Sequence, residues 1–196
     1  KTYHPVEFMS AVLTYEMSDT TKVVEYIEEC RKLRQPDGTI GVRVLPPDVN
    51  ESGKVFTPLY VDRKPTRGRK NPGKEGVIRF GLMAVRGVGE KAVESILEER
   101  NKRGPFKNLY DFCERVELRT VTKSTLEALI KCGAFAGLGA KRSQLLAILD
   151  RAIEFGQQAQ DDKKSGQLNM FAIADASANA APVPPPPLPD MEELGN

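Results

Sequence analysis

The chain has 196 residues, 40% of them hydrophobic, which is enough apolar material for one hydrophobic core of ordinary size or for two small ones. Its 29 lysines and arginines nearly balance 27 acidic residues, so the net charge does not by itself indicate a nucleic-acid partner. The sequence contains neither an apolar run of about 18 residues nor a closely spaced cysteine pair, which argues against a membrane protein, a disulfide framework and a zinc site. We expect a globular protein of the reducing cytoplasm, with no membrane partner.

Two helices are predicted at the beginning of the chain. Pro5 suits a first helical position, and the apolar residues after it recur at helical spacing to about Met17. Asp19 or Thr20 can cap a second helix, which ends before a Pro-Asp-Gly turn. Since the chain starts with Lys1 rather than Met and enters a helix almost at once, we expect it to be cut from a longer polypeptide.

Short strands are predicted next, because the hydrophobic period changes from helical to alternating. Val42 and Val44 alternate with other residues, and apolar runs occupy residues 55–61 and 77–80. A stretch rich in glycine, proline and basic residues separates the last two runs, and residues 62–75 contain six lysines and arginines against two acidic residues. We interpret this stretch as a solvated surface loop and predict a small sheet with one hairpin.

Helical periodicity returns after residue 82 and continues to about residue 160. It predicts four helices, over residues 90–101, 109–115, 122–132 and 141–158. After residue 160 the composition becomes polar and alanine-rich, and six prolines from Pro182 to Pro189 indicate a semi-rigid extended linker. The predicted fold is therefore mainly α with a small β-sheet, followed by a disordered proline-rich tail.

Gly87, Val88 and Gly89 lie between an apolar stretch and a helix with an amphipathic pattern. Two glycines around one apolar residue allow a tight turn with positive φ angles, and they expose consecutive backbone N–H groups at a helix N-terminus. Such a terminus binds anions, and Arg86 and Lys91 stand beside the turn, so we predict phosphate contacts that position DNA without reading its sequence. The alternative is an ordinary glycine turn between two helices, since a single GxG triplet also occurs by chance.

In this context the triplet resembles the helix-hairpin-helix motif of DNA-binding proteins, although Val93 stands where that motif usually has a small residue. A second, degenerate copy follows, in which Gly137, Gly139, Lys141 and Arg142 occupy the loop and the start of the next helix. Tandem hairpins would hold both strands of a duplex across the minor groove, with two helix N-termini as phosphate sites. The seven-residue loop of the second copy, residues 133–139, is equally consistent with a purely structural connection.

Gln167, Leu168, Met170 and Phe171 lie between a flexible Lys/Ser/Gly stretch and low-complexity sequence. No neighbouring helix or strand is predicted that would bury these apolar side chains, which is typical of a docking peptide. The pattern resembles the bacterial sliding-clamp motif, in which the leucine and the aromatic residue fill a hydrophobic cleft and the glutamine hydrogen-bonds at its edge. The alternative is that these side chains fold back on the preceding helix.

Six motifs, in the order and at the approximate spacing of the family, resemble the DnaE-type alpha subunit of bacterial DNA polymerase III, a C-family replicative polymerase. They are HPVEFM at 4–9, VLPPDVN at 44–50, IRFGL at 78–82, VRGVG at 85–89, GPF with DFC at 104–106 and 111–113, and LEALI at 126–130. The resemblance covers residues 1 to about 171, and six collinear motifs are far more specific than any single one.

The resemblance implies a division of the chain into four parts. They are the C-terminal part of a fingers domain (1–50), a small β region with a basic loop (51–81), a tandem helix-hairpin-helix domain (82–160), and a flexible linker with the clamp-binding motif (161–196). The implied partners are double-stranded primer-template DNA, the sliding clamp and other subunits of the polymerase III holoenzyme. The family's catalytic carboxylates, which hold Mg²⁺ for nucleotidyl transfer, lie upstream in the palm, so no catalytic residue and no cofactor are assigned to this segment.

Two other interpretations stay open. The first is an error-prone paralogue of the same family, which lacks a convincing clamp peptide, so residues 167–171 weigh against it. The second is a stand-alone helix-hairpin-helix module of a DNA-repair protein, against which the fingers-like residues 1–50 weigh. Asp48 is interpreted as a turn former or helix cap rather than a metal ligand, and His4, the only histidine, as structural.

Overall fold

A computed structural model of the chain describes residues 3–35, 38–62 and 73–164. The chain opens with the two helices α1 (Pro5–Tyr15) and α2 (Thr20–Lys32). Pro5 lies in the first turn of α1, where its missing N–H group is not needed. The Asp19 carboxylate caps α2, accepting hydrogen bonds from the N–H groups of Thr21 (3.0 Å) and Lys22 (3.3 Å). Both predicted helices are confirmed, and the N-cap is the first of the two candidates.

Three strands form one sheet in the order β1-β3-β2. They are β1 (Arg43–Leu45), β2 (Thr57–Asp62) and β3 (Lys74–Arg79). β1 runs parallel to β3, whereas β2 and β3 are antiparallel and pair Asp62 with Lys74 at the end of the hairpin where the connecting segment leaves the sheet. Gly76 of β3 lets α1 approach closely, because a β-carbon there would lie 2.5 Å from Cγ2 of Val6. The predicted small sheet with one hairpin is confirmed.

The first two helices and the sheet enclose a hydrophobic cluster that we call the N-terminal core. Its buried members are Val6, Met9, Leu13, Val23, Cys30, Leu33, Val42, Phe56 and Ile78. A buried hydrogen bond ties α1 to the connection before β2, since the Ser10 hydroxyl donates to the carbonyl of Phe56 at 2.8 Å. The helices therefore cover the sheet, and the buried hydroxyl has the partner that burial requires.

Helices dominate the described residues after β3. They are a 3₁₀ turn (Leu82–Ala84), α3 (Glu90–Arg103), α4 (Leu109–Arg115), α5 (Lys123–Lys131), a second 3₁₀ turn (Ala136–Leu138) and α6 (Arg142–Lys164). Side-chain caps explain two of the starts, because Asn108 accepts from the N–H group of Asp111 and Thr122 accepts from that of Thr125. None of the helices in the described residues is long and apolar enough to cross a membrane.

The last helix, α6, continues beyond the predicted end at residue 158 because its later turns still have a packing partner. The side-chain amide of Gln160 donates to the carbonyls of Cys113 (3.0 Å) and Val116 (2.8 Å), at the C-terminus of α4. One turn earlier, Gly156 lets the two helices touch, since a β-carbon there would lie 2.5 Å from the carbonyl oxygen of Cys113. These contacts are between distant parts of the sequence, so periodicity alone does not reveal them.

The four later helices enclose a larger cluster that we call the C-terminal core. Its fully buried large side chains include Leu82, Ile96, Leu109, Phe112, Leu126, Leu129, Ile130, Phe135 and Leu149. Val49 joins this core although it precedes β2, and its N–H group donates to the carbonyl of Ala134 at 2.9 Å. Phe80 packs against both cores and links them.

Residues 46–52 form a turn between the two cores, which we call the junction turn. The side chain of Asn50 makes two hydrogen bonds to the backbone of Phe106. Its amide nitrogen donates to the Phe106 carbonyl at 2.9 Å, and its amide oxygen accepts from the Phe106 N–H group at 2.7 Å. The half-buried guanidinium of Arg100, on α3, donates to two carbonyls of the turn at 3.0 and 2.8 Å. The turn is thus fixed to α3 and to the connection between α3 and α4.

Candidate nucleic-acid interface

The first predicted hairpin is a short turn between the 3₁₀ segment and α3. Val85 and Val88 are buried in the C-terminal core, whereas Arg86, Gly87 and Gly89 are exposed. Gly87 has a φ of 85°, which glycine adopts without strain, and the N–H group of Val88 donates to the carbonyl of Val85 at 3.1 Å. The apolar residues therefore anchor the turn and the glycines face outward.

Gly89 is the N-cap of α3 and differs from Gly87 in conformation. Its φ is −82°, so the expectation of positive φ angles holds for Gly87 and is wrong for Gly89. No side chain caps α3, and a β-carbon at Gly89 would meet none of the described residues within 4 Å. The first N–H groups of α3 therefore lie at an unobstructed surface, where the positive end of the helix dipole favours an anion.

Charged side chains of both signs surround this helix end. Arg86 and Lys91 are exposed, and neither side chain makes a hydrogen bond or ion pair with any residue in the described ranges. Glu90 and Glu94 are also exposed, and both carboxylates contact Nζ of Lys54, at 2.6 and 2.9 Å. The hydrogen bond from Lys54 lowers the pKa of Glu90, and the two carboxylates raise the pKa of Lys54. Lys54 is a site residue that sequence reasoning missed, because it lies 36 positions from Glu90.

Helix α5 supports the first hairpin from the side opposite to the solvent. The Thr125 hydroxyl donates to the carbonyl of Gly87 at 3.4 Å, and a β-carbon at Gly87 would lie 3.7 Å from Cβ of Ala128. Since α5 has nine residues, it is roughly 13 Å long, and the second hairpin begins directly after its C-terminus. Helix α5 therefore lies beside the first hairpin and leads directly into the second.

The second hairpin combines a buried anchor with an exposed turn. Ala134 and Phe135 are buried, whereas Gly137, Gly139 and Lys141 are exposed. Gly139 has a φ of 75° and ends the second 3₁₀ turn just before α6. The structure thus brings together the predicted residues of this hairpin at the N-terminus of α6, as it does at α3.

Several groups at the second hairpin already have internal partners. A β-carbon at Gly137 would lie 2.7 Å from Oδ2 of Asp48, so a carboxylate of the junction turn occupies that side. The N–H group of Lys141 donates to the side chain of Gln144 at 2.9 Å, and the Arg142 guanidinium donates to a carbonyl at the end of α5 at 3.4 Å. The first hairpin is consequently the more open of the two to a phosphate.

Other predicted residues have simpler outcomes. The Asp48 carboxylate accepts a hydrogen bond from the N–H group of Asn50 at 2.7 Å, which confirms its interpretation as a turn former. His4 is the exposed N-cap residue of α1.

The predicted clamp-binding residues lie outside the described residues, as do residues 63–72 of the basic stretch. The clamp-binding motif of Gln167, Leu168, Met170 and Phe171 therefore stays a prediction. Within the described ranges, no group of three or more His, Cys, Asp or Glu side chains could hold a metal ion.

Comparison with known proteins adds two findings. A family model described as a helix-hairpin-helix motif matches residues 41–145, which include both hairpins. The chain is also 42% identical over 172 residues to the DNA polymerase III subunit alpha of Thermus aquaticus, 40% over 173 residues to that of Vibrio cholerae, and 35% over 173 residues to that of Escherichia coli K12. Each match covers 88% of this chain but only 12% or 13% of the relative.

Proposed function

Because the chain belongs to the helix-hairpin-helix family and matches a short segment of bacterial DNA polymerase III alpha subunits, we propose that it is the duplex-binding segment of such a polymerase. The observation that carries the proposal is the uncapped N-terminus of α3 at Gly89, with Arg86 and Lys91 beside it. Nucleotidyl transfer, and the Mg²⁺ that it uses, belong in this proposal to residues outside this chain.

Binding would proceed through the phosphate backbone. The N–H groups of α3 after Gly89 donate to one phosphate, and the cations of Arg86 and Lys91 add attraction that does not depend on base sequence. The second hairpin follows α5, the helix that supports the first hairpin, and contributes through the exposed turn at Gly139. Its occupied cap and the nearby Asp48 carboxylate favour the first hairpin as the stronger phosphate site.

The salt dependence of binding tests this proposal. We expect the unmodified chain to bind a duplex without sequence preference, and the variant Arg86→Gln/Lys91→Gln to bind roughly tenfold more weakly. If both cations contact phosphates, the negative slope of log K against log salt becomes shallower by about 2 in the variant. Fluorescence anisotropy with a labelled duplex, over a series of salt concentrations, measures both quantities.

A matched control removes the same charge elsewhere. Lys32→Gln/Lys107→Gln also deletes two exposed cations, one at the end of α2 and one beyond the far end of α3. This control should keep most of the affinity and the original slope. Equal losses in the two variants would mean that the DNA responds only to total charge, and the first hairpin would not be the binding site.

We also propose that residues 167–171 tether the polymerase to the sliding clamp. The support is the sequence pattern, in which Gln167, Leu168 and Phe171 stand as anchors between polar and low-complexity stretches. Binding through so few anchors concentrates the free energy, so Leu168→Ala and Phe171→Ala should each cost about 2 kcal/mol or more.

A synthetic peptide of residues 165–173 gives the direct test of the tether. It should compete with the whole chain for a purified bacterial clamp, and the peptide with both anchors replaced by alanine should not. Asn169→Ala is the matched control, because Asn169 lies between the anchor residues and is not itself one of them. Competition by the doubly substituted peptide at the original strength would remove the tether from the proposal, whereas duplex binding by the hairpins would be untouched.

A further inference from the structure

Lys54 occupies a fixed position beside the first hairpin. The backbone of its segment is held to the 3₁₀ turn, because the N–H group of Met83 donates to the carbonyl of Lys54 at 3.1 Å and that of Leu82 to the carbonyl of Gly53 at 3.0 Å. From there its ammonium group reaches Glu90 on the first turn of α3 and Glu94 one turn later. The cation is thus placed by two neighbouring backbone contacts and meets two carboxylates on one helix face.

Those two carboxylates create a difficulty for an anion site. Glu90 follows Gly89 directly, and a carboxylate at the N-terminus of a helix is attracted by the same N–H groups and dipole that attract a phosphate. An unrestrained Glu90 would therefore compete with a bound phosphate and would also repel it. In the structure the Glu90 carboxylate is instead engaged with Nζ of Lys54 at 2.6 Å.

We propose that Lys54 is a positioning residue for duplex binding, which holds the Glu90 and Glu94 carboxylates away from the phosphate site at Gly89. The inference rests on the proposed function of this hairpin. Lys54 acts through the two carboxylates and not by contacting a phosphate, so its importance depends on their presence. Its role differs from that of Arg86 and Lys91, which make no contact with a described carboxylate.

A double-mutant cycle tests this dependence. Lys54→Met should weaken duplex binding about fivefold to tenfold in the otherwise unmodified chain. In the background Glu90→Gln/Glu94→Gln, the same substitution should weaken binding less than about twofold, because no carboxylate is left to restrain. Because the stability lost with these ion pairs depends on the same carboxylates, circular dichroism must show that each variant is folded at the assay temperature before the affinities are compared. An equal cost in the two backgrounds would show that Lys54 acts by its own charge on the DNA, and the inference would be overturned.

Lys102→Met is the matched control, because Lys102 also pairs with a carboxylate of α3. Lys102 contacts Glu98 at 2.7 Å and is likewise a lysine paired with a carboxylate of α3, but it lies twelve positions beyond Glu90, roughly 18 Å along the axis. Its substitution should change the affinity less than about twofold. The slope of log K against log salt gives a second readout, since Lys54→Met should leave it unchanged, whereas loss of a phosphate contact makes this negative slope shallower by about 0.9.

The two proposals fail in different ways. If the unmodified chain does not bind duplex DNA, the proposed function fails and this inference falls with it. If Arg86→Gln/Lys91→Gln abolishes binding but the Lys54 cycle is additive, the hairpin remains the binding site and only the positioning role is overturned.

Discussion

The two glycines of the first hairpin have different roles, and substitution of each should therefore have a different effect. Gly87 has a φ of 85°, so Gly87→Val should strain the turn and cost about 1–3 kcal/mol of folding free energy. Gly89 has an ordinary φ of −82° and open space around it, so Gly89→Val should cost no more than about 1 kcal/mol, the penalty of a poor N-cap. We nevertheless expect Gly89→Val to lose duplex binding, because its side chain covers the phosphate site.

Thermal unfolding and anisotropy on the same samples check this pair. The expected result is a folded Gly89→Val chain without DNA affinity, next to a destabilised Gly87→Val chain. Full affinity in a folded Gly89→Val chain would place the DNA contact elsewhere.

The thiol of Cys113 should be unreactive in the folded chain. Burial raises the pKa of its thiol to about 12 from an ordinary value of 9.0, so at pH 8 the thiolate fraction falls by a factor on the order of a thousand. Between pH 9 and 12 the folded state keeps this proton, whereas the unfolded state loses it. The stability associated with the protonated thiol is therefore present below pH 9 and is lost as the pH rises toward 12.

Alkylation with iodoacetamide at pH 8, followed by peptide mapping, measures the thiol directly. Cys113 should remain unmodified in the native chain after Cys132, which is only half-buried, has reacted. In urea both should react at similar rates. Equal native rates would mean that α4 and α6 separate readily at Cys113.

The contact between α4 and α6 depends on a glycine inside a helix. Helix propensity alone predicts that Gly156→Ala stabilises the chain by about 1 kcal/mol. A β-carbon at this position would instead lie 2.5 Å from the carbonyl oxygen of Cys113, so we expect destabilisation of roughly 1–3 kcal/mol. Urea unfolding measures the sign, and the exposed neighbour Gln157→Ala, within about 0.5 kcal/mol of the parent, is the control. A stabilised Gly156→Ala chain would contradict this close packing.

The elements themselves were largely predictable from local sequence signals. Pro5, Asp19 and Thr122 mark helix starts through their own chemistry, and the change from helical to alternating period locates the sheet. The hairpin residues around Gly87 were likewise recognisable as a turn. What the sequence lacked was any signal for contacts between distant segments, such as the packing of Gln160 against the end of α4 or the ion pair of Lys54 with Glu90. These depend on tertiary proximity, which propensity and periodicity do not encode.

The junction turn connects the two cores, and the side chain of Asn50 holds it to Phe106 through two hydrogen bonds. Asn50→Ala removes both hydrogen bonds to Phe106 and leaves that backbone N–H group and carbonyl without these partners. Since an unsatisfied buried group costs about 1–3 kcal/mol, we expect a loss of roughly 2–4 kcal/mol in the free energy of unfolding.

Urea denaturation monitored by circular dichroism measures this loss. Asn101→Ala is the control, since Asn101 is an exposed residue of α3 whose side chain makes no hydrogen bond within the described residues, and we expect it to be neutral or slightly stabilising. Equal stability of the Asn50→Ala chain and the parent would show that the two cores do not need this connection.

The pairing of Asp62 with Lys74 has a practical consequence for protein engineering. Because these residues are paired across β2 and β3, the chain leaves β2 next to the point where it enters β3. The register of the two strands is set by residue pairs that lie entirely within them. Loop-closure entropy grows only slowly with length, so sequence added between these two residues costs little. The two hairpins proposed to meet DNA belong to the other core. A fluorophore or affinity tag inserted between Asp62 and Lys74 should leave unchanged both the strand register and the C-terminal core that carries those hairpins.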